Sequence, residues 1–391
     1  MKLRILICHN RYRQRGGENL IVDSEKAMLS ERGVEVIEYV RDNNEIDGYG
    51  LVKKAMLYFT TTWSKEAERE IRELCRKYKP DVAHFHNTLP LISPSAYYAC
   101  KEERVTIVQT LHNYRFLCPG ALLLREGGIC EECIEGDFRP ALRHRCYRAS
   151  YIQTRAVVRM LKKHRQMGTY EKMIDLYIAL TEFVRTKFIE GGIPPEKIVV
   201  KPNFLRNPPD PKYGGDYAVY VGRLSPEKGV DVLLNAWKKI KRFQLKVVGD
   251  GPQRAQLESM RVENVEFVGA VPQEDVYSFI LGARFVLFPS VWYETFGTVM
   301  IEAFACGKPV VASNLGSMAE IVKDKETGFL FTAGDPDDLA ARVKLLIDDP
   351  TLAIELGRNA RAEFDAKYTA EKSYERLMGI YASVIREKET V

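Results

Sequence analysis

Short apolar runs alternate with amphipathic stretches along almost the whole chain. Residues 3–8 read as a buried strand, and residues 18–32 carry apolar positions at helical spacing. Residues 34–40, 81–86, 105–112 and 176–181 continue the strand series. Several of these runs are apolar at nearly every position, which suits strands covered on both faces, so the pattern predicts parallel α/β sheets. The cluster Pro208-Pro209-Asp210-Pro211-Lys212-Tyr213-Gly214-Gly215 reads as a linker. A second series follows, with strands expected at 217–221, 245–248, 265–268, 285–288, 309–312 and 329–331. An amphipathic segment at 370–386 closes the chain. The reading is of two Rossmann-like, doubly wound domains facing a cleft, residues 1–203 and 204–369, with ligands expected beyond the carboxyl ends of the strands.

Composition changes this picture little. With 391 residues, 46% hydrophobic and 28% charged, the chain is long enough for two ordinary domains. No apolar run approaches the roughly 20 residues that span a bilayer, and residues 3–8 are too short for a signal-peptide core, so cytoplasmic residence is expected. The net charge of +5 is unevenly spread: residues 138–170 hold nine Lys or Arg and no acid, leaving the remainder net acidic. On a helix there, Arg155, Arg159, Lys162 and Gln166 share one face while Ile152, Ala156, Val157, Met160 and Leu161 cover another. Such a face suits an anionic membrane or an acceptor's phosphates. A solvated surface is the plain alternative.

Four of the eight cysteines cluster in sequence. Cys130-Glu131-Glu132-Cys133 lets two thiolates meet one ion, and Cys118 and Cys146 flank the pair with eleven and twelve intervening residues. Structural zinc is expected, since four thiolates leave no open position for catalysis. His144 could replace one ligand. A disulfide pair and free thiols are the alternatives, the former disfavoured by a reducing cytosol. Cys8, Cys75, Cys100 and Cys306 are scattered and read as small buried hydrophobes.

The densest candidate chemistry follows the strand expected at 285–288. Glu294 and Glu302 bracket the run Thr295-Phe296-Gly297-Thr298-Val299-Met300-Ile301, placing one carboxylate in a loop and the other inside a helix. Free amides near Gly297 and Thr298 would favour a phosphate between them. Arg223 and Lys228, in Gly222-Arg223-Leu224-Ser225-Pro226-Glu227-Lys228-Gly229, put a guanidinium fork and a point charge in a strand-end loop. That pairing suits a diphosphate gaining charge. Gly16 and Gly17 open a helix where backbone amides can approach a ligand. Gly269-Ala270-Val271-Pro272 forms a further loop at a strand end. His112 ends its strand, and His84 and His86 read as structural.

These motifs, in this order, resemble the signature of the retaining glycosyltransferases of the GT-B fold, the large family 4 type, also called glycosyl transferases group 1. The two glutamates separated by seven residues, the Arg223 and Lys228 pair and the loop Arg15-Gly16-Gly17-Glu18 carry the likeness. It extends over nearly the whole chain and weakens most between 117 and 167, around a Cys-rich insertion at about 117–147. The resemblance implies a nucleotide-sugar donor held by Gly16, Gly17, Arg223, Lys228, Val271, Glu294, Thr295, Phe296, Gly297, Thr298 and Glu302, with His112, Glu294, Arg223 and Lys228 at the reaction centre. It implies that the C-terminal helix packs back on the first domain and that transfer needs no catalytic metal. A front-face route is favoured, because the alternative, double displacement, needs a nucleophile, and Glu294's family role is to hold donor hydroxyls. The expected acceptor is a glycan or a lipid-linked one, with an anionic membrane surface at the inner face as a further partner and no nucleic acid. A sugar-nucleotide epimerase of the same fold is the alternative enzyme. A zinc-bearing nucleic-acid-binding protein is the alternative of another class, and a dinucleotide dehydrogenase is weaker still, since no strand is followed by Gly-x-Gly-x-x-Gly.

Overall fold

A computed structural model describes residues 2–13 and 16–389. The strands, in chain order, are β1 (Arg4–Arg11), β2 (Glu35–Asp42), β3 (Val82–Asn87), β4 (Thr106–Thr110), β5 (Leu124–Arg125), β6 (Gly128–Ile129), β7 (Leu176–Ala179), β8 (Ile198–Val200), β9 (Tyr217–Val221), β10 (Gln244–Val248), β11 (Val265–Gly269), β12 (Ala283–Phe288), β13 (Val310–Ser313) and β14 (Gly328–Phe331). They form two six-stranded sheets, ordered β2-β1-β3-β4-β7-β8 and β11-β10-β9-β12-β13-β14, and a small hairpin, β5-β6. Every pairing within the two large sheets is parallel. Strands β3, β4, β7 and β13 are buried at every residue; β7 and β13 are accordingly almost wholly apolar, whereas β3 and β4 also bury polar side chains, His84, His86 and Asn87 in one and Thr106, Gln109 and Thr110 in the other.

The chain divides into two compact units. The first comprises Met1–Leu123, Cys130–Pro202 and Ser373–Val391; the second comprises Leu124–Ile129 and Asn203–Lys372. In the first unit the strand order reverses between β1 and β3, and in the second between β9 and β12. Loops leaving the carboxyl ends of neighbouring strands diverge at such a point, which opens a crevice for a ligand. From Ser373 onward the last helix, Ala370–Glu389, belongs to the first unit, where the Tyr381 hydroxyl lies 2.7 Å from His84 Nδ1.

Two local readings change. Strand β8 was not anticipated, being only three residues long and followed at once by Lys201 and Pro202. The proline-glycine segment at 208–215 is not a free linker but is strapped to the second unit. Arg361 donates to the Pro209 carbonyl, Lys308 to that of Gly214 and Arg284 to that of Gly215. Gly215, at φ +152°, leaves no room for a Cβ, which would meet the Ala283 carbonyl carbon at 2.3 Å.

Candidate functional site

In the second unit Arg223, Lys228 and Glu294 lie on the loops that flank the reversal between β9 and β12, and Glu302 lies in the helix that follows the second loop. Lys228 closes a single 3-10 turn, Pro226–Lys228, after β9, and its Nζ donates to Glu294 Oε1 at 2.6 Å. Ser290, at the end of β12, donates to the same oxygen at 2.7 Å. The loops are also joined by backbone, Val291 N donating to Glu227 O at 3.0 Å. Gly229 makes this approach possible: at φ +63°, a Cβ would lie 2.1 Å from the Pro289 carbonyl oxygen. Arg223 is exposed, its carbonyl held by the Tyr220 hydroxyl at 2.9 Å.

Gly297, at φ +77°, turns the chain into helix Thr298–Ala305, which has no side-chain N-cap. A Cβ at 297 would lie 2.7 Å from Met300 Cε and 2.9 Å from Phe288 Cζ, so loop and helix close tightly only around glycine. Thr295 offers its carbonyl to Ser317, and Phe296 is buried with its ring 6.0 Å from that of Tyr368. Glu302 is buried four residues into the helix, where its carboxyl accepts from Gln273 Nε2 at 3.1 Å. Burial pushes it up to about 7, against the lowering pull of that hydrogen bond. Val271 sits half-buried in the loop after β11.

Gly16, Gly17 and His112 fall in the first unit. Gly17 begins helix Gly17–Glu31 and Gly16 is its N-cap, extended at φ −126°, with nothing among the described residues within 4 Å of where a Cβ would stand. Arg15 of the same motif lies outside the described residues. His112 Nε2 is 2.9 Å from His86 Nδ1, and burial, then the charge on His9, lowers its pKa to about 3, so the ring is neutral across the physiological range. His86, read from sequence as merely structural, is thus in direct contact with His112.

Behind this pair lies a buried polar network. Glu25 Oε1 is 3.1 Å from His84 Nδ1 and 3.5 Å from His86 Nε2, while Lys201 Nζ pairs with Glu25 Oε2 at 3.3 Å. Burial would raise the Glu25 carboxyl, but Lys201 and His84 hold it well below the usual carboxylate range. The ligand atoms of Glu25, His84 and His86 lie within 4.8 Å of one another. The ammonium of Lys201 already supplies their countercharge, so an ion pair accounts for the group. Beside it, Asn113 donates to the Tyr12 hydroxyl at 3.1 Å and to Glu18 at 3.5 Å, and burial lifts Glu18 to about 8. Sequence reasoning passed over Glu18 and Asn113 as chemistry; their signal was adjacency to the glycine pair and to His112. A pocket of about 20 Å³ lies against His112, Asn113, Arg115 and Met160.

The four clustered cysteines all fall in the first unit, where, among the described residues, no three of their sulfurs lie within 4.8 Å of one another. Burial, then the charge on Cys118, raises the Cys133 thiol to about 12. The expected basic helix is Tyr151–Gln166, with Arg155, Arg159, Lys162 and Gln166 exposed, and Ala156, Val157, Met160 and Leu161 buried. Ile152, expected on the covered face, is instead exposed. Arg165 is structural, donating to the carbonyls of Phe116 and Ile134 at 3.2 Å. Against the basic helix lies helix Leu51–Thr60, which buries none of its residues. It exposes Leu51 (88%), Val52 (79%), Phe59 (52%) and Met56 (48%), with the Arg159 guanidinium 4.7 Å over the Phe59 ring.

Residues 15–206 match the family model described as Glycosyltransferase Family 4, and residues 203–363 the one described as Glycosyl transferases group 1. An uncharacterized glycosyltransferase of Methanocaldococcus jannaschii is 37% identical over 172 residues, 42% of this chain and 47% of that protein. The chain thus spans about half the length of the curated relatives it matches. Among solved structures, sucrose-phosphate synthase from Thermosynechococcus elongatus superposes with a TM-score of 0.71 at 20% identity, covering 99% of this chain and 100% of that one. HepE from Anabaena, in complex with UDP-glucose, gives 0.66 at 19% identity, covering 97% of this chain and 100% of that one.

Proposed function

This chain belongs to the group 1 glycosyltransferases of the GT-B fold, and from that premise we propose that it transfers a sugar from a nucleotide-sugar donor, with retention and without a catalytic metal, to a glycan or lipid-linked acceptor. One observation carries the reading: Lys228, on the loop that also holds Arg223, pairs with Glu294 on the loop leading to helix Thr298–Ala305, so the two loops flanking the strand reversal in the second unit are joined through these side chains. In the proposed complex the amides at Gly297 and Thr298 and the two cations take the diphosphate, Glu302 accepts from the ribose hydroxyls, and Glu294 accepts from the sugar. Lys228 pairs with Glu294 at 2.6 Å, so the same ammonium that holds the carboxylate also faces negative charge growing on the leaving phosphate. HepE, a fold relative, is described in complex with UDP-glucose, which supports a nucleoside diphosphate sugar as donor. A front-face route then asks of the protein only orientation and charge stabilisation. His112, neutral and buried, serves as a polar contact for the donor sugar rather than as an acid.

Peripheral attachment to the inner face of a membrane is part of this proposal. No helix among the described residues is long and apolar enough to cross a bilayer. The exposed apolar residues of helix Leu51–Thr60, flanked by Lys53, Lys54, Arg155 and Arg159, match an interface in which aliphatic side chains enter the headgroup layer and cations meet anionic lipids. Incubation with a panel of nucleotide sugars, followed by mass spectrometry of bound ligand and released nucleotide, tests the donor reading. If no sugar nucleotide binds or turns over with any glycan or lipid-linked acceptor, the reading fails. Turnover without an acceptor would point to the epimerase instead.

A further inference from the structure

We propose, resting on the reading of His112 as a contact for the donor sugar, that Glu25 and His86 are positioning residues for it: they fix His112 in the tautomer that carries its proton on Nε2 and presents Nδ1 to a sugar hydroxyl as an acceptor. Glu25 lies on helix Gly17–Glu31, over the sheet. His84 and His86, two residues apart on β3, point to the same side, so both reach Glu25 Oε1, at 3.1 and 3.5 Å. Glu25 Oε1 and His86 Nε2 are buried, and neither finds a hydrogen-bond partner outside this cluster among the described residues.

Charge settles which nitrogen holds each proton. Lys201 Nζ lies 3.3 Å from Glu25 Oε2 and, against the raising effect of burial, holds the carboxyl well below the usual range, so Glu25 is an anion that can only accept. The His86 ring is neutral, because burial first, then the charge on His84, lowers its pKa well below the ordinary value. A neutral imidazole has one N–H and one lone pair. A lone pair on Nε2 would face those of the carboxylate in an interior where such repulsion is little screened. The proton therefore belongs on His86 Nε2, and the lone pair on Nδ1. His86 Nδ1 is 2.9 Å from His112 Nε2, and the ring planes differ by only 26°, so an in-plane N–H of one meets the in-plane lone pair of the other. Since His86 can only accept at that atom, His112 must donate from Nε2, which makes its Nδ1 an acceptor. The charge on Glu25 thus reaches the sugar contact through one intervening ring.

Nuclear magnetic resonance reads the tautomer directly. The full chain, with isotope-labelled histidine, at neutral pH and without substrate, gives signals from only six histidines, and long-range proton–nitrogen spectra separate a protonated ring nitrogen from an unprotonated one. His86→Asn and His112→Asn assign the two rings. Both rings should carry their protons on Nε2, and a proton on His112 Nδ1 in the unaltered chain would overturn the proposal. Glu25→Gln keeps the shape and removes the charge, so His112 should populate both tautomers while turnover falls on the order of tenfold, as for one lost hydrogen bond. An unchanged tautomer in that variant would overturn the role of Glu25. Should Glu25→Gln not fold, His86 decides. His86→Asn places an oxygen where Nδ1 accepted and should keep His112 protonated on Nε2, and turnover with it, whereas His86→Leu should lose both. Equal losses in the two would make His86 a merely structural ring. Because the tautomers are read on the free chain, a misplaced donor site would leave them as stated with no turnover, and a wrong tautomer would leave donor binding in place.

Discussion

At the scale of single residues, the balance of charge around the diphosphate position decides what each side chain does. Arg223 is exposed and Lys228 partly so, whereas Glu294 and Glu302 are buried. Cations that stabilise a leaving group act most in the transition state, so Arg223→Ala and Lys228→Ala are expected to lower turnover by on the order of a hundredfold, about 3 kcal/mol, with a smaller change in nucleoside affinity. Steady-state kinetics alongside calorimetric nucleotide binding checks the split, and unchanged turnover would misplace the donor site. Glu302 sets a pH dependence. Its pKa rises from 4.5 to about 7 on folding, so the folded chain holds a proton that the unfolded chain has released within that window. This contribution to stability falls as pH rises from about 4.5 to about 7. Ribose hydroxyls donate to the carboxylate, so nucleotide-sugar affinity should weaken below pH 7, by at most about tenfold per unit. Glu302→Gln should flatten both trends, and a variant keeping the wild-type slope would assign it to another group.

At the scale of elements, the glycines separate what the fold demands from what a ligand demands. Gly297 sits at φ +77° with Met300 and Phe288 closing on it, so Gly297→Ala should cost about 1–3 kcal/mol of stability in the second unit and impair donor binding together. Gly16 is extended and, among the described residues, a Cβ there would meet nothing within 4 Å, so Gly16→Ala should leave the melting temperature unchanged. A loss of turnover there without a loss of stability would show that substrate needs that backbone bare. Thermal unfolding alongside donor turnover distinguishes the two, and a lowered melting temperature for Gly16→Ala would mean its surroundings are tighter than the geometry shows.

At the scale of the whole molecule, the surface of the first unit carries the attachment prediction. Each cation near an anionic bilayer contributes about 1 kcal/mol, and the attraction decays over a Debye length of about 10 Å at moderate salt, so several must act together. Arg155→Glu, Arg159→Glu and Lys162→Glu combined should reduce co-sedimentation with anionic vesicles while donor affinity stays near normal. Replacing Leu51 and Val52 with serine should weaken the binding that persists at high salt. Equal binding to neutral and anionic vesicles, or none to either, would leave these helices as ordinary surface.

The sequence by itself determined the two parallel sheets, because apolar runs too short for helices alternate with amphipathic stretches, and it placed the Glu294 to Glu302 and Arg223 to Lys228 motifs at strand ends, where their combined order carries the family resemblance. It also marked four cysteines and a basic helix as unusual. Only tertiary structure decided that His86 touches His112, that Tyr381, nearly three hundred residues away along the chain, reaches His84, and that Lys201 answers Glu25. Those contacts join residues with no sequence relation to one another. The exposed face of helix Leu51–Thr60 was illegible for a different reason: leucine, valine and phenylalanine read the same in a core as on a surface, and only packing shows which side nothing covers.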